Sequence, residues 1–287
     1  LSGREGNNYF GGGVTVSGGT FHMYGGTIEK CGIKGGSVCY GGGVAVVYGG
    51  QFIMDSGTIK DCYAESDYLD YYEPNTCFTA MGGGVFVSGG SYFRMNGGSI
   101  SNNHATNMGG GVAVAISYEE IANSGSYGTL KSSAEILGGK VEENQAKKGA
   151  GLFASGYYYA FADAICAATP AAGATKNPGL HIKNAQIQDN TADAADGMGG
   201  GVLVVALKSP AAASLENTTV KGNKATTGAG IASYESWTNL SIKGCTVTEN
   251  TANKYGGGFS AESNTGGGKT TITDTVLCNN IADTAGS

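Results

Sequence analysis

The chain reads as all-β: a right-handed parallel β-helix, a solenoid of about eight coils of three strands with loop insertions. Three observations carry that expectation. A glycine-led box recurs eight times, an apolar-x-x-Asn or Cys signature follows each box, and short alternating stretches punctuated by glycine lie between them. Periodicity on this scale belongs to stacked repeats rather than to a compact core.

The box runs Gly11-Gly12-Gly13-Val14, Gly41-Gly42-Gly43-Val44, Gly82-Gly83-Gly84-Val85 and Gly109-Gly110-Gly111-Val112. It continues as Gly149-Ala150-Gly151-Leu152, Gly199-Gly200-Gly201-Val202, Gly228-Ala229-Gly230-Ile231 and Gly256-Gly257-Gly258-Phe259. Successive boxes are 30, 41, 27, 40, 50, 29 and 28 residues apart, so a unit of 27–30 residues is lengthened three times by an insertion.

The second signature reads Ile28…Cys31, Ile59…Cys62, Ile100…Asn103, Val141…Asn144, Ile187…Asn190, Val220…Asn223, Val247…Asn250 and Val276…Asn279. Five residues before the apolar position stands another: Met23, Met54, Met95, Ile136, Ile182, Leu215 and Ile242, with Ile272 one residue closer in the last unit. Phe21, Phe52 and Phe93 precede the methionines by two and form a second inward column.

Within the first unit, Val14-Thr15-Val16, Phe21-His22-Met23 and Thr27-Ile28 each alternate apolar with polar, as strands with one buried face do. Glycine between them supplies the positive φ of a corner without a Cβ clash. Three strands per unit stack into three parallel sheets, each coil adding about 4.8 Å along the axis. Asn103, Asn144, Asn190, Asn223, Asn250 and Asn279 are expected to form a structural column, their amides bonding along the axis and to corner backbone. Cys31 and Cys62 occupy that slot in the first two units. Their Cα atoms, about 4.8 Å apart on neighbouring coils, fit either a buried thiol pair or a disulfide. Cys39 with Cys77 is a comparable pairing.

Bulk composition agrees. Of 287 residues 52 are Gly, only 4 are Pro, and 14% are charged, about half the usual share. Amphipathic helices do not survive this density of glycine, and propeller blades need four strands and a closed ring. The net charge of −6 leaves no basic stripe to neutralise phosphates, so no nucleic-acid partner is expected. No run of about 18 apolar residues appears, so no transmembrane segment is expected. Residues 1–287 are read as a single β-helix domain, a segment of a longer surface protein.

The pairing of a Gly-Gly-small-aliphatic box with an apolar-x-x-Asn box resembles the repeats of chlamydial polymorphic outer membrane proteins. It is similar also to adhesin-like β-helix repeat proteins of gut anaerobes and methanogens. The resemblance spans Gly11 to Asn280, and it departs from the family pattern in having Ile or Val rather than Phe three residues before Asn. It implies an extracellular or cell-surface rod with an attachment role and a host protein or carbohydrate as partner.

Insertions carry the function of a solenoid, because its coils mainly bury one another. The first insertion, Tyr63 to Met81, concentrates Glu65 and Asp67 with Tyr68, Asp70, Tyr71, Tyr72 and Glu73. Tyrosine rings stack on sugar faces and carboxylates accept sugar hydroxyls, so Tyr68, Asp70, Tyr71, Tyr72 and Glu73 are the candidate ligand-binding loop. The same oxygens could ligate Ca²⁺, although their spacing matches no EF-hand loop; no other cofactor is implied. The second insertion holds Tyr118, Glu119, Glu120 and Tyr127, and the third holds Tyr157, Tyr158 and Tyr159 before an Ala-rich stretch.

Pectin-active lyases and glycoside hydrolases share this fold, which makes a polysaccharide-active enzyme the alternative. Hydrolysis needs two carboxylates converging in a cleft. Here His22, His104 and His181 fall in different units, and the glycine boxes lack the Lys of a phosphate loop and recur in every unit. A non-catalytic role is therefore expected. A threonine array for ice or crystal surfaces, Thr27, Thr58, Thr219, Thr246 and Thr275, is broken by Ser99, Lys140 and Gln186.

Overall fold

A computed structural model describes residues 8–35, 38–66, 79–115, 132–156, 179–205, 207, 213–234, 238–262 and 268–283. Every described element is a strand, every pairing is parallel, and the chain winds as a right-handed β-helix of eight coils. We name its sheets I to IV in the order the chain meets them after a glycine box. Sheet I runs from Val14–Ser17 to Phe259–Glu262, sheet II from Thr20–Met23 to Lys269–Thr273, and sheet III from Thr27–Glu29 to Val276–Cys278; each has eight strands. Like residues stack on like: Val44 pairs with Val85, and Phe52 and Met54 pair with Phe93 and Met95.

Sheet IV was not legible in the sequence. It contains 11 short strands, from Asn8–Phe10 to Ile281–Ala282, between the Asn column and the next box. Its inward positions are Ala64, Ala105, Ala146, Ala192, Ala225 and Ala252, and most of these form a small alanine cluster with Ala150 and Ala229 of the boxes. Alanine favours strands weakly and gives little alternation signal. In the second coil the sheet IV run is further split into Tyr63–Glu65 and Ala80–Met81 by the first insertion. Four strands per coil therefore replace the expected three.

The lumen between sheets I, II and III is filled by the columns read from the sequence, including Val44, Val85, Phe52, Phe93, Met54, Met95, Ile59 and Ile100. Phe21, Phe52 and Phe93 stack with ring centroids 5.1 and 5.0 Å apart, the offset geometry that aromatic rings prefer.

The Asn column is a continuous polar ladder within this dry interior. Asn190 Oδ1 accepts from the backbone N–H and Nδ2 of Asn144, each at 3.0 Å. Asn190 Nδ2 donates to Val141 O at 3.0 Å and to Asn223 Oδ1 at 2.9 Å. The same pattern repeats at Asn103, Asn144, Asn223 and Asn250. It ends on Asn280, not Asn279: Asn280 Oδ1 accepts from Asn250 N at 3.1 Å. The last unit thus keeps the common spacing. Leu277, not Val276, pairs with Val247, and Ile272 stands the usual five residues before it. Val276 rather than Thr275 pairs with Thr246, so the threonine series stops earlier than its spacing implied.

The two repeating motifs meet in space. A Cβ on the third box glycine would lie 3.0 Å from Asn144 Nδ2 at Gly111, 2.9 Å from Asn190 Nδ2 at Gly151 and 3.0 Å from Asn223 Nδ2 at Gly201. The first box glycine has φ between 58 and 73° in all eight coils. A second left-handed position precedes each ladder residue and is rarely glycine: Lys30, Asp61, Asn102, Glu143, Asp189, Glu249 and Asn279 have φ of 52–57°, and Gly222 completes the set.

Two predictions follow from this corner. Replacing Asn190 with Leu strands the groups that its amide serves, which destabilises by about 1–3 kcal/mol; an unchanged melting temperature would contradict an internal ladder. Replacing Glu143 with Gly relieves a left-handed L-residue, worth about 1–2 kcal/mol, against about 0.5–1 kcal/mol of added unfolded-state entropy. The variant should melt slightly higher than wild type in a denaturation series.

Candidate binding face

The insertions leave the rod from two lines. Residues 67–78, which include Tyr68, Asp70, Tyr71, Tyr72 and Glu73, lie outside the described residues, between Tyr63–Glu65 and Ala80–Met81 of sheet IV. Glu65 belongs to the strand itself. Its carboxylate meets Lys34 Nζ at 3.0 Å on the neighbouring coil. The second and third insertions fall elsewhere: residues 116–131 connect Val112–Val114 to Ser133–Ile136, and residues 157–178 connect Leu152–Ser155 to Gly179–Lys183. Both cross from sheet I to sheet II. Residues 208–212, 235–237 and 263–267 fall at that same corner in the next three coils. The first three coils turn it in a few residues, using Gly18, Gly49, Gly89 and Gly90 at positive φ.

Between these two lines of departure lies the outward face of sheet I, at which the alternation of the first unit, Val14-Thr15-Val16, predicts polar residues. In the first coil Thr15 and Ser17 are indeed exposed. From the second coil to the seventh the outward residues include Ala45, Val47, Phe86, Ala113, Ala115, Phe153, Leu203, Val205 and Ala232, all buried, with buried Ser88 and Ser155 and half-buried Tyr234 in the same row as Val47 and Val205. They cluster with Val38, Tyr40, Met81, Met108 and Met198, which lead out of sheet IV into the boxes. Tyr40 stacks on Phe86 with centroids 4.4 Å apart, and Phe10 lies tilted against Tyr40 at 5.7 Å. A signal existed: Val44-Ala45-Val46-Val47 and Val202-Leu203-Val204-Val205 are unbroken apolar runs, the mark of a parallel strand buried on both faces.

The outward face of sheet II is polar. His22 Nε2 stands 2.7 Å from Asp55 Oδ2, and Asn96 Nδ2 donates to Asp55 Oδ1 at 2.7 Å. The Asn96 amide first, then His22, hold the Asp55 carboxyl below its usual value. One coil further, Arg94 reaches Glu135 Oε2 through Nε at 3.0 Å, and the Tyr92 hydroxyl donates to the same oxygen. Burial alone would raise the Glu135 carboxyl; the hydrogen bonds from Tyr92 and Arg94 together outweigh it and hold it low. Burial, then Glu135, pushes the Tyr92 hydroxyl up to about 12. His181, in the same strand position as His22, meets Ser214 Oγ at 2.9 Å. The third histidine, His104, stands in sheet IV. Sheet III presents a further set of inter-coil pairs, including Lys60 with Glu29 at 3.0 Å.

Among the described residues no group of three or more His, Cys, Asp or Glu side chains is placed to hold a metal ion; of the carboxylates expected to offer Ca²⁺ ligands, Glu65 is paired with Lys34, and Asp67, Asp70 and Glu73 fall in residues 67–78, outside the described residues. No helix among the described residues is long and apolar enough to cross a membrane. No protein-family model, no curated protein and no solved structure matches the chain.

The sheet II row gives a pH prediction. Because Glu135 titrates below its unfolded value of about 4.5, its contribution is present above that pH and is lost as pH falls through the folded value. Glu135→Gln should therefore lower stability by up to about 1 kcal/mol at neutral pH. The difference from wild type should close in the acid range. Denaturation curves from pH 7 down to 3 check both halves.

Proposed function

We propose that this chain is a non-catalytic, adhesin-type rod at a bacterial or archaeal cell surface, presenting side loops to a host protein or glycan. The observation that carries the reading is the grouping of its insertions. Residues 67–78 leave from one flank of the outward face of sheet I, and residues 116–131 and 157–178 leave from the other. The strands that these segments join flank one face of the rod, while sheets II and III carry inter-coil ion pairs and hydrogen bonds. Tyrosine is enriched at binding surfaces because it offers large contact area with few rotatable bonds. The resemblance of the Gly-Gly-Gly and apolar-x-x-Asn boxes to surface-displayed β-helix repeats supports the same reading.

Binding of the wild-type chain to an array of glycans, compared with Tyr71→Ala and Tyr72→Ala, tests it. Loss of at least about tenfold in affinity, roughly 1.4 kcal/mol, is expected for the ligand that the loop contacts. Unchanged binding by both variants would remove the first insertion as the contact site. Release of unsaturated uronates or reducing ends from pectic polysaccharide by the wild-type chain would instead assign it to the lyases or glycoside hydrolases.

A further inference from the structure

The amide ladder does not reach the first two coils. Its slot is filled there by Cys31 and Cys62, and the register sets them opposite one another: Ile28 pairs with Ile59 three residues earlier, and Gly32 with Tyr63 immediately after. Neighbouring parallel strands lie about 4.8 Å apart, and a disulfide spans Cα separations of roughly 4.4–6.8 Å.

The side chains are arranged like the ladder they replace. Cys62 Sγ lies 3.8 Å from Ile28 O, the counterpart of Asn103 Nδ2 donating to Ile59 O at 3.1 Å. Cys62 N–H donates to Asn103 Oδ1 at 3.0 Å, so the amide ladder begins directly above it. Each thiol also donates to the carbonyl two residues before it, Cys31 Sγ to Glu29 O at 3.3 Å and Cys62 Sγ to Lys60 O at 3.2 Å, as Asn250 Nδ2 does to Thr248 O at 2.9 Å. The box packs on this pair as it packs on the amides: a Cβ on Gly13 would lie 2.9 Å from Cys31 Sγ, and one on Gly43 would lie 3.3 Å from Cys62 Sγ. A sulfur accepts hydrogen bonds weakly, so this rung holds the two coils together less well than an Asn pair.

We propose that Cys31 and Cys62 form a redox-dependent rung, joined covalently by exchange with a small-molecule disulfide. Cys31 is half-buried and Cys62 is 1% exposed, which sets the order of events. The Cys31 thiolate attacks one sulfur of the small disulfide RSSR, forming Cys31–S–S–R and releasing one thiolate. Cys62 then gives up its proton and attacks the Cys31 sulfur, forming the Cys31–Cys62 bond and releasing the second thiolate. The two departing thiolates take up the two protons lost by the cysteines. Two protein thiols are oxidised by two electrons, and RSSR is reduced to two RSH. Burial raises the Cys62 thiol to about 11, consistent with Cys62 as the resolving rather than the attacking group.

The test is a thiol map of the full chain before and after incubation with excess oxidised glutathione, with denaturing alkylation, proteolysis and mass spectrometry. The expected result is joint protection of Cys31 and Cys62 and a linked peptide pair that dithiothreitol separates. Cys62→Ser should stop the reaction at a glutathione adduct on Cys31, and Cys31→Ser should leave Cys62 alkylated. Full alkylation of both cysteines after oxidation, or linkage of Cys31 to any other cysteine, would overturn the proposal. Hydrogen exchange of the wild-type chain supplies a readout without mutation. Amides of residues 20–34 should slow by about tenfold on oxidation, and equal rates in the two redox states would count against the rung.

Discussion

The contact between the third box glycine and the ladder amide is the constraint on which the rod depends. The ladder is a buried row of amides whose donors and acceptors are satisfied only by the coils above and below, as the bonds of Asn190 show. An unpaired buried amide is costly, so any slip of one coil relative to the next leaves several groups stranded. The glycine has no side chain because the next coil's box carbonyl, 2.5 Å from a Cβ on Gly111, Gly151 or Gly201, and the ladder amide at 2.9–3.0 Å together occupy the space that a Cβ would need. Each motif thereby fixes the other, and together they set a register that hydrophobic stripes alone would leave loose.

That constraint also explains the division of labour around the coil. Sheets II and III turn polar faces outward and tie neighbouring coils through pairs such as His22 with Asp55 and Lys60 with Glu29. Sheet IV lies so close under the box that alanine is its common inward residue; a Cβ on Gly83 would stand 2.3 Å from His104 O. The corner between sheets I and II is the place where coil after coil departs from the repeat. Insertions there leave the ladder, the boxes and the lumen columns undisturbed, so length and sequence are least constrained at that edge.

Particular residues show where sequence reading succeeded and where it stopped. The columns Met23–Met54–Met95 and Phe21–Phe52–Phe93 were legible because their spacing from the box repeats and their chemistry is uniform. The last coil was misread by one residue. Val276 and Leu277 are both apolar, Asn279 and Asn280 are both asparagine, and spacing from the preceding strand decides between them only once Ile272 is paired with Ile242. The candidate loop Tyr68, Asp70, Tyr71, Tyr72 and Glu73 was legible as composition and lies outside the described residues, apart from its neighbour Glu65, which proved to be part of a strand.

By itself the sequence determined the repeat, the parallel stacking and the identity of the lumen columns, because a period of 27–30 residues with glycine and asparagine at fixed offsets admits one way to bury its apolar positions. Tertiary structure alone decided the fourth sheet, the continuity of the buried outer face of sheet I from coil to coil, and the residue on which the ladder ends in the last coil. Each of these depends on what lies across a sheet or on the next coil. Such neighbours are far apart along the chain, and local alternation does not report them.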